Sequence, residues 1–537
     1  MMEIKAISVP LQGIVGDYVK GEVQEYFDYP LTEEGFTERL HDLRNRHYAR
    51  EELVSHLLKY NEKLNVGEAT INNIQALLEN DTYVVVGGQQ AGILTGPLYT
   101  IHKMVSIIQL AKEKEKSLGV RIVPVFWIAG EDHDLDEINH VFVSKNNKIK
   151  KTILYNAEKK KMSASEMKLS KEECKRWIEE IFKTYPETNY TNEVLQFVEE
   201  SLLRSRTYVD FFANLVAKLF KDTGLIFVDA HHPELRKLEI SYFEQMLTCY
   251  KEVQQGLENQ QRIVKGRGYK PLIETKESAI HLFMQLEDER VLLEESNGRF
   301  IGKNGLYSFS FEELMEQVRQ YPERFSNNVV TRPLMQESVF PTLAFVGGPG
   351  EIAYWSELQQ VFHVLSMKMP PVVPRTTISY MERHIEADMR ELGIDESELF
   401  IQKVDAIREK WIAENVKESI EQPFAEATER IKDIHDELQE LVNKINPSLQ
   451  QFAKKNEQKV LGQLQLLERT LQVDIEKKYE VQLEKFRRIE YALQPQGAPQ
   501  ERVWNIFYYL NRYGLDFVSE LLQHTFSSDG QHYIVKL

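Results

Sequence analysis

The apolar residues of this chain change period twice along its length. Between residues 33 and 78 they recur at three- and four-residue spacing among charges, which predicts amphipathic helices. From residue 83 the pattern switches to short, continuous runs rich in β-branched and aromatic residues. YVVV (83–86), RIVPVFWI (121–128), LIFVD (225–229), PTLAFV (341–346) and PPVVP (370–374) are strand candidates, and 98–111 and 352–365 are helix candidates. Uninterrupted apolar strands interleaved with helices mark a parallel sheet covered on both faces. The reading is an α/β, Rossmann-like parallel-sheet core over 81–380, preceded by a helical region at 1–80. The second and third strands, and the third and fourth, lie roughly one hundred residues apart, too far for simple crossovers. Inserted connective subdomains are therefore expected at about 139–205 and 232–332.

The second change comes near residue 419. Phe424, Ala427, Ile431, Ile434, Leu438, Leu441 and Ile445 alternate spacings of three and four, a heptad seam. Pro423 suits the first turn of that helix, and Asn446-Pro447-Ser448 ends it. A second helix over 449–493, roughly 65 Å long at 1.5 Å per residue, continues the seam with Val460, Leu464, Leu467 and Leu471. This predicts a long antiparallel α-helical coiled-coil arm over 381–493. The two helices are expected to pair with each other, and a leftover apolar stripe to join a second copy as a homodimer. QPQGAP (494–499) ends the arm, and 494–537, with a helix in ERVWNIFYYLNRYG, is expected to return to the core.

Composition narrows the function classes. The 537 residues hold 66 Lys+Arg against 83 Asp+Glu, a net charge of −17. That is no electrostatic footprint for nucleic acid, and the basic run Lys159–Lys161 is flanked by Glu158 and Glu166. A small anion in one enclosed pocket stays open, because pocket charge is local. Two cysteines, Cys174 and Cys249, argue against a disulfide framework and a thiolate-rich zinc site, and for a reducing compartment. No apolar run approaches the ~20 residues that span a bilayer, and MMEIKAISVP lacks a secretory h-region. A cytoplasmic protein without membrane or nucleic-acid partners is expected.

Candidate chemistry clusters where strands are expected to end. GGQQAGILTG (87–96) joins the first strand to a helix, the usual place for an α/β ligand site. Its glycines allow close backbone approach, and Gln89 and Gln90 offer donors and acceptors. It lacks the Gly-Lys-Ser/Thr ending of a P-loop and the GxGxxG spacing. A tight strand–helix turn is the plainer alternative. WIAGEDHDLDEINH (127–140) follows the second strand. A carboxylate beside His133 would orient it as a general base, whereas an N-cap with solvated acids suits Asp132 and Asp136. FVGGPGEIAYWSEL (345–358) repeats the strand, glycine turn and helix, with Gly347, Gly348, Gly350 and Glu351 at the turn. Arg332 and Gln336 in TRPLMQE and Arg375 in VVPRTT complete the set, arginine suiting carboxylates or phosphates. On a terminal helix, Asn505, Tyr509 and Arg512 would share a face for a second nucleotide site, beside the plainer role of Val503, Ile506, Phe507 and Leu510 in core packing.

GGQQAGILTGPLYTIHK, PVFWIAGEDHDLDEI, TRPLMQE, FVGGPGEIAYWSEL and VVPRTT together resemble the hallmark segments of the BshC family, the cysteine ligases of bacillithiol biosynthesis. The resemblance runs over nearly the whole chain. It implies a Rossmann-like core with connective insertions and a dimerising coiled coil. It also implies a ligase that joins cysteine to the amine of glucosamine-malate as an amide. An amide from a free carboxylate needs activation, for which ATP is the usual source. Mg would accompany the nucleotide, and no metal held by the protein itself is expected. On chemical grounds His133 or Asp134 is the expected base. Gly88, Gln89, Gln90, Thr95, Arg332, Gln336, Gly348, Gly350, Glu351 and Arg375 are expected to bind substrate or nucleotide. A nucleotidyl- or acyl-transferase with another small acceptor, and a coiled-coil scaffold with a vestigial core, are the alternatives.

Overall fold

The five apolar runs become five parallel strands: Tyr83–Gln89, Ile122–Ile128, Ile226–Asp229, Thr342–Gly347 and Val372–Pro374. The computed structural model of the chain describes residues 2–145, 148–155, 162–274, 276–287, 289–302, 305–415, 420–528 and 530–537. The run Lys159–Lys161 lies outside them. By packing, the chain falls into two units, Met1–Ser379 with Gln500–Val535 and Tyr380–Pro499 with Lys536–Leu537.

In the first unit the strands stand in the spatial order Val372–Pro374, Thr342–Gly347, Tyr83–Gln89, Ile122–Ile128, Ile226–Asp229. The chain thus starts in the middle, builds outward on one side, then returns to build the other. The order reverses between Tyr83–Gln89 and Thr342–Gly347, and ligands of open α/β sheets bind outside the carboxyl ends of the strands at that point. Both glycine turns flank it.

Burial explains the β-branched runs: Val84, Val85, Val86, Val123, Val125 and Trp127 are all fully buried. Helix Leu98–Leu118 packs flush on this sheet because Gly87 has no side chain. A Cβ there would meet Ile107 Cδ1 at 2.7 Å and the Val346 carbonyl at 3.0 Å. The helices at Glu33–Leu43, Arg50–Lys63 and Glu68–Ala76 belong to the same unit. Arg39, 1% exposed, donates to the Thr342 carbonyl and pairs with Glu337.

The stretch between the third and fourth strands holds helices Pro233–Leu238, Ile240–Thr248 and Tyr250–Gly266 and an antiparallel sheet of five strands. Its order is Tyr307–Phe309, Arg299–Gly302, Glu289–Ser296, Ala279–Leu286, Phe325–Asn327. The stretch between the second and third strands holds a hairpin, His140–Lys145 with Lys148–Ile153, and helices Lys171–Phe182, Thr191–Arg204 and Tyr208–Leu219.

Three helix expectations need correction. The segment expected as one helix over 352–365 is two, Pro349–Trp355 and Gln359–Val364. The terminal helix is also two, Gln500–Val503 and Ile506–Tyr513, because Asn505 is extended and caps the second. In the second unit the helix expected over 449–493 breaks at Tyr479 into Gln450–Lys478 and Glu480–Leu493. The Tyr479 ring packs edge-on against Trp411, 5.8 Å between centroids.

Helix Glu421–Ile445 pairs with Gln450–Lys478 as a hairpin, with Gln439 donating to Glu457 at 2.8 Å. Past Ile431 its inward face passes through buried His435 and half-buried Val442. Ile434, Leu438, Leu441 and Ile445, expected on the seam, are instead 47–75% exposed. Both cysteines are free thiols. No helix among the described residues is long and apolar enough to cross a membrane.

Candidate functional site

A cavity of about 740 Å³ opens at the strand-order reversal, lined wholly by residues of the first unit. One wall is Gly88 and Gln89, which end strand Tyr83–Gln89, and Gln90 just after it; the opposite wall is Gly348, which caps helix Pro349–Trp355, and Pro349, Gly350 and Glu351 of its first turn. The antiparallel sheet contributes Phe283 and Arg290, and helix Arg332–Val339 contributes Arg332 and Gln336. Arg375 lines it from the end of the outermost strand. Nine of the ten binding residues expected from sequence therefore meet at one cavity. The exception is Thr95, which is fully buried outside the lining.

Lys103 joins the two glycine walls. It sits in the second turn of helix Leu98–Leu118 and is only 1% exposed. Its ammonium donates to the Gly88 carbonyl at 2.7 Å and to Gln89 Oε1 at 3.0 Å, and it pairs with Glu351 Oε2 across the cavity. These three bonds use its three protons. Burial pulls the Lys103 pKa down while Glu351 opposes that, with Arg375 a further lowering influence. Glu351 Oε2 also accepts from the Gly348 N–H at 2.7 Å, so the helix start is closed by its own carboxylate.

Behind the floor lies a charged cluster. Glu131 is fully buried, and Arg332 Nε donates to it at 2.7 Å while Arg236 pairs with its other oxygen. Burial alone would raise the Glu131 carboxyl; Arg332, Arg236 and Arg290 outweigh it and hold the pKa at about 2. The opposite balance holds at Glu239, also paired with Arg236, where burial wins and lifts the carboxyl to about 7. Asp132 accepts from Arg332 and from Gln90 Nε2, at 3.4 Å. It therefore ties the first glycine wall to the arginine cluster and does not cap a helix; the residue before helix Leu135–Ile138 is Asp134.

Several sequence assignments change. His133 Nδ1 lies 3.0 Å from Arg290 Nη1. A guanidinium only donates, so Nδ1 is the acceptor and the neutral ring carries its proton on Nε2. That lone pair is spent, and neither His133 nor the exposed Asp134 lines the cavity. The geometry thus moves the base role away from both. Arg375 is engaged by Glu501, to which Nη1 donates at 2.7 Å and Nη2 also donates, and Glu501 further holds His102 Nδ1 at 3.0 Å. Its charge is already met, so it does not stand ready as an anion clamp.

The second nucleotide face at Asn505, Tyr509 and Arg512 is not assembled. Asn505 and Tyr509 are each 2% exposed. Asn505 Nδ2 donates to the Leu94 and Gly96 carbonyls at 2.6 and 2.7 Å, and its Oδ1 accepts from the Phe507 N–H at 2.9 Å. Tyr509 stacks on Phe517, and the Arg512 guanidinium lies over the Tyr508 ring. The Trp504 carbonyl also takes the Leu98 N–H at 2.9 Å, so the start of helix Leu98–Leu118 is partly covered by the chain itself.

Lys103, Arg290, Tyr99, Tyr354 and Arg502 were not singled out from sequence, yet all line the cavity. Lys103 stands inside the quoted segment GPLYTIHK, where its helical spacing disguised it as an ordinary amphipathic residue. Five basic side chains (Lys103, Arg290, Arg332, Arg375, Arg502) face three carboxylates (Asp132, Glu137, Glu351) around the lining. Glu131 and Glu501 stand immediately behind. Such a site suits a ligand bearing both charges, or several small polar ligands together.

Comparison with known proteins bears on the whole chain. Residues 2–376 match the family model "Bacillithiol biosynthesis BshC, N-terminal Rossmann-like domain". Residues 378–537 match "Bacillithiol biosynthesis BshC, C-terminal coiled-coil domain". A protein of Bacillus cytotoxicus is 63% identical over 538 aligned positions, covering 100% of both chains. Proteins of Bacillus cereus and Bacillus anthracis are each 61% identical with the same full coverage. All three bear the name "Putative cysteine ligase BshC". With both domain models and full-length relatives in agreement, the chain belongs to the BshC family.

Proposed function

We propose that this protein is a cysteine ligase of bacillithiol biosynthesis. It joins the carboxyl group of cysteine to the amine of glucosamine-malate, forming an amide, in the cavity between the two glycine walls. The observation that carries the reading is the cavity itself: about 740 Å³, at the strand-order reversal, lined by charges of both signs. It has room for a small amino acid and a sugar acid, both polar and both bearing carboxylate and ammonium groups.

The chain's own residues would hold and orient these groups. Arg332 is fixed by Glu131 and Asp132 through Nε and Nη2 and lines the cavity, where its Nη1 N–H groups can donate to a substrate oxygen. Glu351 has Oε2 held by Lys103 and Gly348, and Oε1 makes no hydrogen bond among the described residues. It is the lining carboxylate best placed to accept the proton that the amine must lose. ATP, as co-substrate, would supply the activation of the carboxylate. The backbone turn at Gly350, which opens into free space, would face its phosphates, with Lys103 fixing the Glu351 side of that turn.

The hairpin arm supports a homodimer, because Ile434, Leu438, Leu441 and Ile445 leave an apolar stripe exposed along one helix. Light scattering giving a monomer mass at micromolar concentration would sink that part. The cytoplasm is the compartment where such small-molecule substrates and a free-thiol protein fit. The ligase reading is tested by incubating purified protein with cysteine, glucosamine-malate and ATP and searching for the thiol product by mass. A product one cysteine heavier than glucosamine-malate, less one water, is expected. Nucleotidyl transfer to the sugar acid without any thiol product would instead favour the transferase alternative.

A further inference from the structure

Arg290 differs from Arg332 and Arg375, which also line the cavity. Arg332 is bonded to two carboxylates and Arg375 to one. Arg290 is 6% exposed and lines the cavity, yet its hydrogen-bond partners among the described residues are all neutral. Nε donates to Ser326 Oγ at 2.9 Å, Nη2 to the Asn327 carbonyl at 2.6 Å and Nη1 to His133 Nδ1 at 3.0 Å. The guanidinium also lies 3.7 Å above the centre of the Phe283 ring. A buried charge is costly unless an opposite charge meets it. Three of five N–H groups are used, which leaves one on each terminal nitrogen for a ligand.

The setting orients the side chain from three sides. Arg290 lies on strand Glu289–Ser296, Phe283 on the adjacent strand Ala279–Leu286, and Ser326 and Asn327 on the edge strand Phe325–Asn327. His133 comes from the loop after the second core strand, so it links the inserted sheet to the parallel-sheet rim. Burial pulls the Arg290 pKa down to about 10, against the raising influence of Glu131 and Asp132. It remains a cation at neutral pH.

We propose that Arg290, positioned by His133, selects the acid arm of the substrate by receiving a malate carboxylate in the cavity. This rests on the reading that glucosamine-malate is the acceptor. His133 is then a positioning residue that turns the guanidinium toward the ligand, and the inserted sheet supplies specificity that the glycine walls lack.

The test uses the full-length protein with Arg290→Gln and Arg290→Lys, and His133→Leu and His133→Asn. Charge-assisted hydrogen bonds of this kind correspond to roughly 10- to 100-fold in affinity. Arg290→Gln should raise KM for glucosamine-malate by that factor and leave KM for ATP within about twofold. Arg290→Lys keeps the buried charge, and hence the fold, but loses the fork; an intermediate rise is expected. His133→Leu should raise the same KM more than it lowers kcat, and His133→Asn, whose Oδ1 can accept the same N–H, should restore it. Calorimetric titration with L-malate as probe should show binding to wild type and weaker binding to Arg290→Gln.

A glucosamine-malate KM unchanged in both Arg290 variants would overturn the assignment, as would a rise confined to ATP. Wild-type protein that binds neither glucosamine-malate nor L-malate would overturn the functional reading itself, and this assignment with it.

Discussion

Asn505 is the side chain on which the first glycine loop most visibly depends. Leu94, Thr95 and Gly96 all have positive φ, at 49°, 68° and 69°. For Leu94 and the β-branched Thr95 such a conformation costs about 1–3 kcal/mol each, so roughly 2–6 kcal/mol is stored in the turn. The Asn505 amide holds the carbonyls on either side of Thr95 and caps helix Ile506–Tyr513 with its oxygen. Removing it in Asn505→Ala forfeits about 1 kcal/mol of capping and leaves two buried carbonyls unmet at about 1–3 kcal/mol each. The lost restraint, roughly 3–7 kcal/mol, matches or exceeds the stored strain, so the turn should relax rather than persist. Hydrogen exchange read on peptides covering 92–98 should accelerate by at least ~100-fold, since each 1.4 kcal/mol is tenfold. Amide formation should fall with it, because Gln89 and Gln90 lead directly into this turn. Unchanged exchange at 92–98, with only the KM for ATP raised, would show that Asn505 does not hold the turn and would restore it to a nucleotide site.

Four further outcomes follow from the geometry. Lys103→Met should leave Glu351 and the Gly88 carbonyl without their shared partner and cut kcat/KM by ~100-fold or more, measured by steady-state kinetics; the cost on stability should be about 2–4 kcal/mol. Gly92→Ala should abolish activity and lower Tm, because its Cβ would stand 2.7 Å from the Gly96 backbone, which cannot yield as a side chain would. Asp134→Asn should keep activity within about twofold, since Asp134 is exposed and makes no side-chain cap bond. Burial pulls His56 and His281 down to about 4, against roughly 6.5 in an unfolded chain. Between those values the unfolded state binds more protons, so stability is full above about pH 6.5 and falls as pH drops towards 4, by roughly 3 kcal/mol per histidine; urea titrations at pH 7.5 and 4.5 measure it.

The core strands were legible because they are buried on both faces: runs such as VVV (84–86) and IVPVFWI (122–128) have no polar positions to confuse a helix with a strand. Their spatial order was not, since nothing local in Val84 or Phe345 records which neighbour it meets. Yet that order is what brings Gln89 beside Glu351. The glycine walls could be found from their turn chemistry. Arg290 could not, because it lies on a half-exposed antiparallel strand whose pattern reads as surface, and its role depends on His133, 157 positions away in sequence. Arg375 misled for a similar reason: a lone arginine after a strand looks available until Glu501, 126 positions later, is seen to pair with it. The arm's seam was legible to Ile431. Beyond it the pairing face shifts to His435 and Val442, which leaves the expected positions outward.

We propose that glucosamine-malate and cysteine meet between the Gly88–Gln90 and Gly348–Glu351 walls. A crystal structure of the protein soaked with glucosamine-malate tests this most directly. Density for the sugar acid is expected in that cavity, with a malate carboxylate within hydrogen-bond distance of Arg290. Density for the ligand at any other place on the chain, with this cavity empty, would contradict it.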